Sequence, residues 1–344
     1  MRILFNKILI ISLLIFVSCS KSEEQSNQVD VTPSVNNIEL FVSSGEIVIG
    51  TTVLFTAFDN TGKNRTSEAT FFVNDAEISG SSHTFNDIGT YEIHAKYQNI
   101  KSQTEEVTVN PTPIEYKQYV LVEDYTGTWC GYCTRVSYAI EQVEKETDDA
   151  VIIAIHQGDP MAFGLVNSMM NTFGVTGFPT AFIDRTSRWT PPEPSNIAQV
   201  TGKLTNKAYA ALAIDSSIDG DMLTIKVKLK MGYNYKALKL GLYILEDGIK
   251  HDQKNWTSYY VGDPLKDYEH NHVLRKAVTG ILGDQIPSDK LGHDKEYEKE
   301  FQYVIPSEFN KDKIKMVAFV TEASKKETIN VRSSKIGETQ TFEK

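Results

Sequence analysis

The residues best equipped for chemistry are two cysteines. Cys130 and Cys133 stand three apart in Trp129-Cys130-Gly131-Tyr132-Cys133. An apolar run, Tyr119 to Tyr125, precedes them, and Thr126-Gly127-Thr128 forms a loop between. After them Val136, Ile140 and Val143 recur at helical spacing with Glu and Lys between, so a helix over 134–145 is expected. A C-x-x-C where a strand turns into a helix puts its first thiol near unpaired N–H groups and the positive end of the macrodipole. That position favours the thiolate and lowers the thiol pKa below its free value of about 8.5. Cys130 is therefore the expected nucleophile. Cys133, one turn on and shielded, is the expected resolving thiol. Two other uses of such a pair are a structural disulfide and half of a zinc site. No second C-x-x-C is present to complete the latter.

The third cysteine, Cys19, belongs to a targeting segment. Arg2 and Lys7 flank the start, Ile8 to Val17 is apolar except for Ser12, and small Ser18 precedes Cys19. This is the outline of a secretory signal over residues 1–18, too short for a stable transmembrane helix. With the polar run Ser20-Lys21-Ser22-Glu23-Glu24 behind it, the segment resembles a bacterial lipoprotein signal, which implies acylation of Cys19. Several acyl chains would hold the protein stably on a membrane, where one binds only marginally. Residues 19–33 read as a lipidated cysteine and flexible tether. Outside the cytosol a Cys130–Cys133 disulfide persists.

The elements that position the pair divide the chain into three segments. Residues 34–110 alternate short strands with turn residues, such as Asp59-Asn60-Thr61-Gly62 and Ser79-Gly80-Ser81, and resemble Ig-like β-sandwich domains. Asn110-Pro111-Thr112-Pro113 is a stiff linker. Residues 117–210 change to the order β, C-x-x-C helix, β, helix, Pro-strand: Val151 to Ile155 is fully apolar, Leu165 to Phe173 helical, and Gly177-Phe178-Pro179-Thr180 leads into Ala181 to Ile183. Asn196 to Ala210 supplies a closing helix. Residues 211–344 return to strands, with strict alternation over Leu223 to Leu229, and give a second sandwich. A long excursion runs from Glu246 to Lys299. The expected fold is thus an α/β domain between two all-β, Ig-like sandwiches.

Composition limits the partners. The 344 residues carry 45 acidic and 35 basic side chains, net −10, which excludes the basic face that nucleic-acid binding needs. His270 and His272 are spaced to share one strand face, where His251 or His293 could complete a metal site. A hydrogen-bonded or solvated strand edge is the simpler reading, and no metal is assigned. Asn64-Arg65-Thr66 and Asn255-Trp256-Thr257 have only the pattern of glycosylation sequons.

The strand, the Trp-Cys-Gly-Tyr-Cys motif and Gly177-Phe178-Pro179-Thr180 together resemble the thioredoxin superfamily. The resemblance implies a mixed sheet with flanking helices, a cis Phe178–Pro179 bond beside the cysteines, and pairing of the Phe178 backbone with a substrate strand. It makes Trp129, Phe178 and Pro179 substrate-binding residues. Asp124 matches the buried acid that assists proton transfer. Desolvation at the end of an apolar strand should raise its pKa. The family's partner lysine is absent, and His156 stands near its place. Over nearly the whole chain, the signal, the phrase Leu121 to Cys133, Asn271-His272-Val273-Leu274-Arg275 and Met316-Val317-Ala318-Phe319-Val320 resemble the 28-kDa-outer-membrane-protein-related lipoproteins of Bacteroidota. That implies a bacterial outer-membrane lipoprotein, facing the periplasm or the cell surface.

Two functions follow. One is thiol–disulfide exchange on exported proteins, with the cysteine pair as the only redox group, no added cofactor, and an unidentified redox partner. The other is a surface binding protein whose disulfide is structural.

Overall fold

The computed structural model describes residues 34–344. The expected signal, Cys19 and the tether lie outside the described residues. The molecule is mostly β, and its described residues form two compact units. The smaller comprises residues 34–43, 54–82 and 92–105; the larger comprises 44–53, 83–91 and 106–344. Segments of the module expected at 34–110 thus fall in both.

In the smaller unit, Ile38–Val42 pairs antiparallel with residues 55–59, and Thr70–Val73 lies between Ala76–Ile78 and residues 93–96. Alternation turns Ile38, Leu40, Phe55, Phe71, Val73 and Ile93 inward. The rings of Phe55 and Phe71 meet across the core at 5.7 Å. Arg65 Nε donates to the buried Asp59 at 2.8 Å and fixes the turn that follows this strand.

The larger unit is organised on one long sheet. Its order is Ser187–Arg188, Thr180–Ile183, Val120–Thr126, Ala150–His156, Val273–Ala277, Leu238–Glu246, Ile314–Glu322 and Thr328–Lys335, with Asp284–Gln285 also pairing with Leu238–Glu246. Val120–Thr126 is buried along its full length, as an apolar run covered on both faces should be. It pairs parallel with Ala150–His156 and antiparallel with Thr180–Ile183. On one face, helix Thr134–Glu146 sets Val136, Ile140 and Val143 against Val122 and Ile152. On the other, helix Val166–Phe173 joins a single cluster that runs from Tyr125 and Ile153 to Tyr243, Leu245 and Phe319.

The strand, helix, strand, helix, strand order expected over 117–210 is present. The sheet nevertheless does not stop at residue 210. The excursion expected between Glu246 and Lys299 supplies Val273–Ala277, which pairs parallel with Ala150–His156 at Ala154↔Val273 and antiparallel with Leu238–Glu246. A three-stranded sheet, Ala210–Asp219, Met222–Met231 and Glu296–Val304, covers the C-terminal half. Its Leu223, Ile225, Val227 and Leu229 pack on Leu240, Leu242, Met316 and Ala318. The alternating lysines face outward, Lys228 against Asp215 at 2.8 Å and Lys230 against Glu296 at 3.0 Å. The closing helix expected over Asn196 to Ala210 shrinks to Ala198–Thr201 and one 3-10 turn, Gly202–Thr205, before Lys207–Ala208 begins a strand. Thr201, Gly202 and Thr205 are poor helix formers, which is consistent with the short length.

Candidate functional site around the Cys130–Cys133 disulfide

Cys130 and Cys133 are joined in a disulfide, with their Cα atoms 5.4 Å apart. The loop Gly127 to Cys133 closes on itself: Cys130 N–H donates to Gly127 O, and Cys133 N–H to Cys130 O. Cys133 occupies the N-cap of helix Thr134–Glu146, and no acidic residue stands in the first turn to offset the positive end of the dipole. Cys130 is 5% exposed and Cys133 1%. The Phe178–Pro179 bond is cis. Trp129 is half exposed, donates Nε1–H to Gln157 O at 2.7 Å, and meets the Phe178 ring edge-on at 5.3 Å. It is therefore a surface residue beside the disulfide and not part of the core.

Asp124 lies in the buried strand between Ala154 and Ala181, and its Oδ1 has no protein partner. Burial, reinforced by the charge of Glu193, pushes its pKa well above the ordinary carboxylate range. Glu193 itself is held by Arg135 of the helix. His156 is not a free stand-in for a lysine, because its Nδ1 is paired with Asp159 at 2.6 Å.

The site has a second flank that sequence reasoning missed. Gln253 to Thr257, in the connection between Ile249–Gln253 and Leu265–His270, crosses the C-x-x-C loop like an added strand. Lys254 N–H donates to Thr128 O and Trp256 N–H to Gly131 O, each at 2.8 Å. Gln253 Nε2 donates to Cys130 O at 3.1 Å. Thr134 Oγ1, on the first helical residue, donates to Asn255 Oδ1 at 2.9 Å. Trp256 packs against Gly131: a Cβ there would sit 2.2 Å from its ring, so only glycine fits. The Trp256 ring also meets Tyr132 edge-on at 5.4 Å. Asn255-Trp256-Thr257 thus acts as a clamp. The signal that could have found it is the density of aromatics, Trp256, Tyr259, Tyr260 and Tyr268, in an otherwise polar stretch.

The histidines do not converge on a metal. His270 ends Leu265–His270, a strand that pairs only with Ile249–Gln253 among the described residues, and its ring is buried. His272 follows in the turn with φ +59°, which breaks the shared strand face, and pairs with Glu144 at 3.0 Å. His293 Nε2 contacts Thr112 O at 3.0 Å. Among the described residues no three such side chains form a metal-binding group.

Comparison with known proteins decides the family. The model of the family described as "Outer membrane protein Omp28" matches residues 166–340, half of the chain. The chain belongs to the Omp28 family. The family locates this protein at the outer membrane. HBP35 of Porphyromonas gingivalis has a similar fold, with 20% identity over 64% of this chain and 76% of that one, and a TM-score of 0.54. A domain of the outer membrane lipoprotein Omp28 from Porphyromonas gingivalis is 23% identical over 38% of this chain and 89% of its own, with a TM-score of 0.27. No curated protein matches the chain. The family match begins after the C-x-x-C motif, so the chemistry of this Omp28-family protein has to be argued from its own residues.

Proposed function

We propose that this Omp28-family protein is an extracytoplasmic thiol–disulfide exchange protein with a thioredoxin-like domain, anchored in the outer membrane through a lipidated Cys19. The observation that carries the reading is the Cys130–Cys133 disulfide at a helix N-terminus, with the acid Asp124 buried in the preceding strand and its pKa raised well above the ordinary carboxylate range. Cys130 forms the mixed disulfide with a thiol or disulfide of an exported protein. Cys133 attacks Cys130 to resolve it. Trp129 and Phe178 offer an open aromatic edge for the partner chain, and the Phe178 backbone stands ready for an extended segment. Asp124 takes the proton from Cys133 as it becomes a thiolate. A redox partner outside the cytosol then resets the pair.

A second reading, a surface binding protein with a structural disulfide, is favoured by one observation: the Gln253–Thr257 clamp leaves little of either sulfur exposed. Trapping separates the two. Cys133→Ala, expressed in the native envelope, should accumulate mixed disulfides on Cys130 that a reductant dissolves, and Cys130→Ser should accumulate none. Equal, empty lanes for both variants would favour the structural disulfide.

A further inference from the structure

Helix Thr134–Glu146 roofs a cavity of about 310 Å³. Its floor is the sheet, through Asp124, Thr126, Ala154 and His156, and its far wall is Tyr268 and His270. Two of these side chains, each more than nine-tenths buried, carry a polar atom without a protein partner among the described residues: Asp124 Oδ1 and His270 Nε2. A polar cavity of this size, with such groups on its walls, has both the room and the partners for several ordered waters. The other ionisable groups around it are engaged. On the helix, Glu141 accepts from Tyr260 Oη at 2.6 Å and Glu144 pairs with His272. Behind Asp124, Glu193 is paired with Arg135, and beside His270 the His156 ring is paired with Asp159. Glu269 is exposed at the rim.

We infer that this cavity is the proton path of the cysteine pair, with His270, from the C-terminal half of the chain, passing protons through water between Asp124 and solvent. The inference deepens the exchange reading and rests on it. When the reduced pair acts on a substrate disulfide, Cys133 Sγ attacks the mixed disulfide at Cys130. A Cys133–Cys130 bond forms, and the bond from Cys130 to the substrate sulfur breaks. The two protein thiols are oxidised and the substrate disulfide is reduced to two thiols. The Cys133 proton goes to Asp124, which must have lost its own proton beforehand and must shed the new one afterwards. Asp124 reaches solvent through this cavity, and His270 Nε2 is the unengaged base on its wall among the described residues. Burial and the neighbouring His156 hold the His270 ring neutral down to about 4, with the backbone of His251 opposing them. The imidazole therefore keeps an open acceptor at neutral pH and does not retain the proton it relays. His270 acts through Asp124, so it is a positioning residue for the proton and not a catalytic one.

The test is the pH–rate profile for oxidation of the reduced full chain by glutathione disulfide. His270→Gln should slow the resolving step about tenfold near neutral pH. His270→Gly should be slow in the same way and regain rate when imidazole is added, which a purely structural role would not produce. If His270→Gln destabilises the chain, the imidazole response of His270→Gly decides alone. A wild-type profile in the folded Gln variant, or no response to imidazole, overturns the path while leaving exchange intact. A wild-type chain that does not react with glutathione disulfide at all overturns the exchange reading, and the path with it.

Discussion

The disulfide has two flanks built from the same materials and put to opposite uses. On one side Trp129 meets Phe178, and on the other Trp256 meets Tyr132, at nearly equal ring separations of 5.3 and 5.4 Å. The first pair stands beside the cis Pro179, and among the described residues no strand pairs with it. In the second, backbone hydrogen bonds from Lys254 and Trp256 tether the C-x-x-C loop, while both rings stay exposed to solvent. The difference predicts that access to Cys130 depends on a segment more than a hundred residues downstream of the motif as well as on the motif itself. In the proposed exchange reading the first flank docks a partner chain and the second holds the loop.

That contrast can be broken most strongly at Gly131. Gly131→Ala drives a Cβ into the Trp256 ring. It should lower stability by about 1–3 kcal/mol, the usual effect of overpacking, and free the clamp. Reduction of the disulfide by dithiothreitol should then accelerate about tenfold, since local opening limits access to buried groups. A variant that loses stability but is reduced at the wild-type rate would show that the clamp does not control access.

Asp124 sharpens the picture from beneath. Burial and the charge of Glu193 push its pKa well above the ordinary carboxylate range. Its folded pKa is raised, so its contribution to stability is complete at acid pH and is lost as pH rises from the ordinary carboxylate range through the raised value. Asp124→Asn should remove that slope, raise stability at pH 7 by about 1–3 kcal/mol, and slow resolution. His270 works with the opposite sign. Its pKa is depressed from 6.5 to about 4, so the unfolded chain takes up a proton that the fold refuses as pH falls between those values. Urea melts across that window should show a loss on the order of 3 kcal/mol, absent in His270→Gln. A wild-type pH profile that neither substitution changes would mean that neither group is buried as described.

The smallest effect is expected on the open flank. Trp129→Ala removes a half-exposed ring and its hydrogen bond to Gln157 O, so stability should fall by about 1–2 kcal/mol. Exchange with an unfolded protein substrate should weaken a few-fold while reduction by dithiothreitol is unaffected. Equal loss with both substrates would place Trp129 in the scaffold and not in docking.

The open flank was legible in the sequence because its parts are local: a five-residue motif, a buried strand before it, a helix after it, and Phe178-Pro179 in a recognisable phrase. The clamp was not, because Lys254 and Trp256 bind backbone carbonyls, and carbonyl partners leave no trace in residue type. Val273–Ala277 escaped notice for a related reason. Five residues with Arg275 and Lys276 among them show no alternation, yet pairing on both sides makes this strand the seam of the sheet. His270 and His272 misled because spacing alone implies a shared face, and the positive φ at His272 turns the chain between them.

The reduction potential of the Cys130–Cys133 couple, measured on the detergent-solubilised chain against glutathione buffers, tests the central claim most directly. An exchange protein should give a value between about −120 and −270 mV, the range of known exchange catalysts. A value below about −300 mV would mark a disulfide that the clamp protects for structure alone, and would contradict the account.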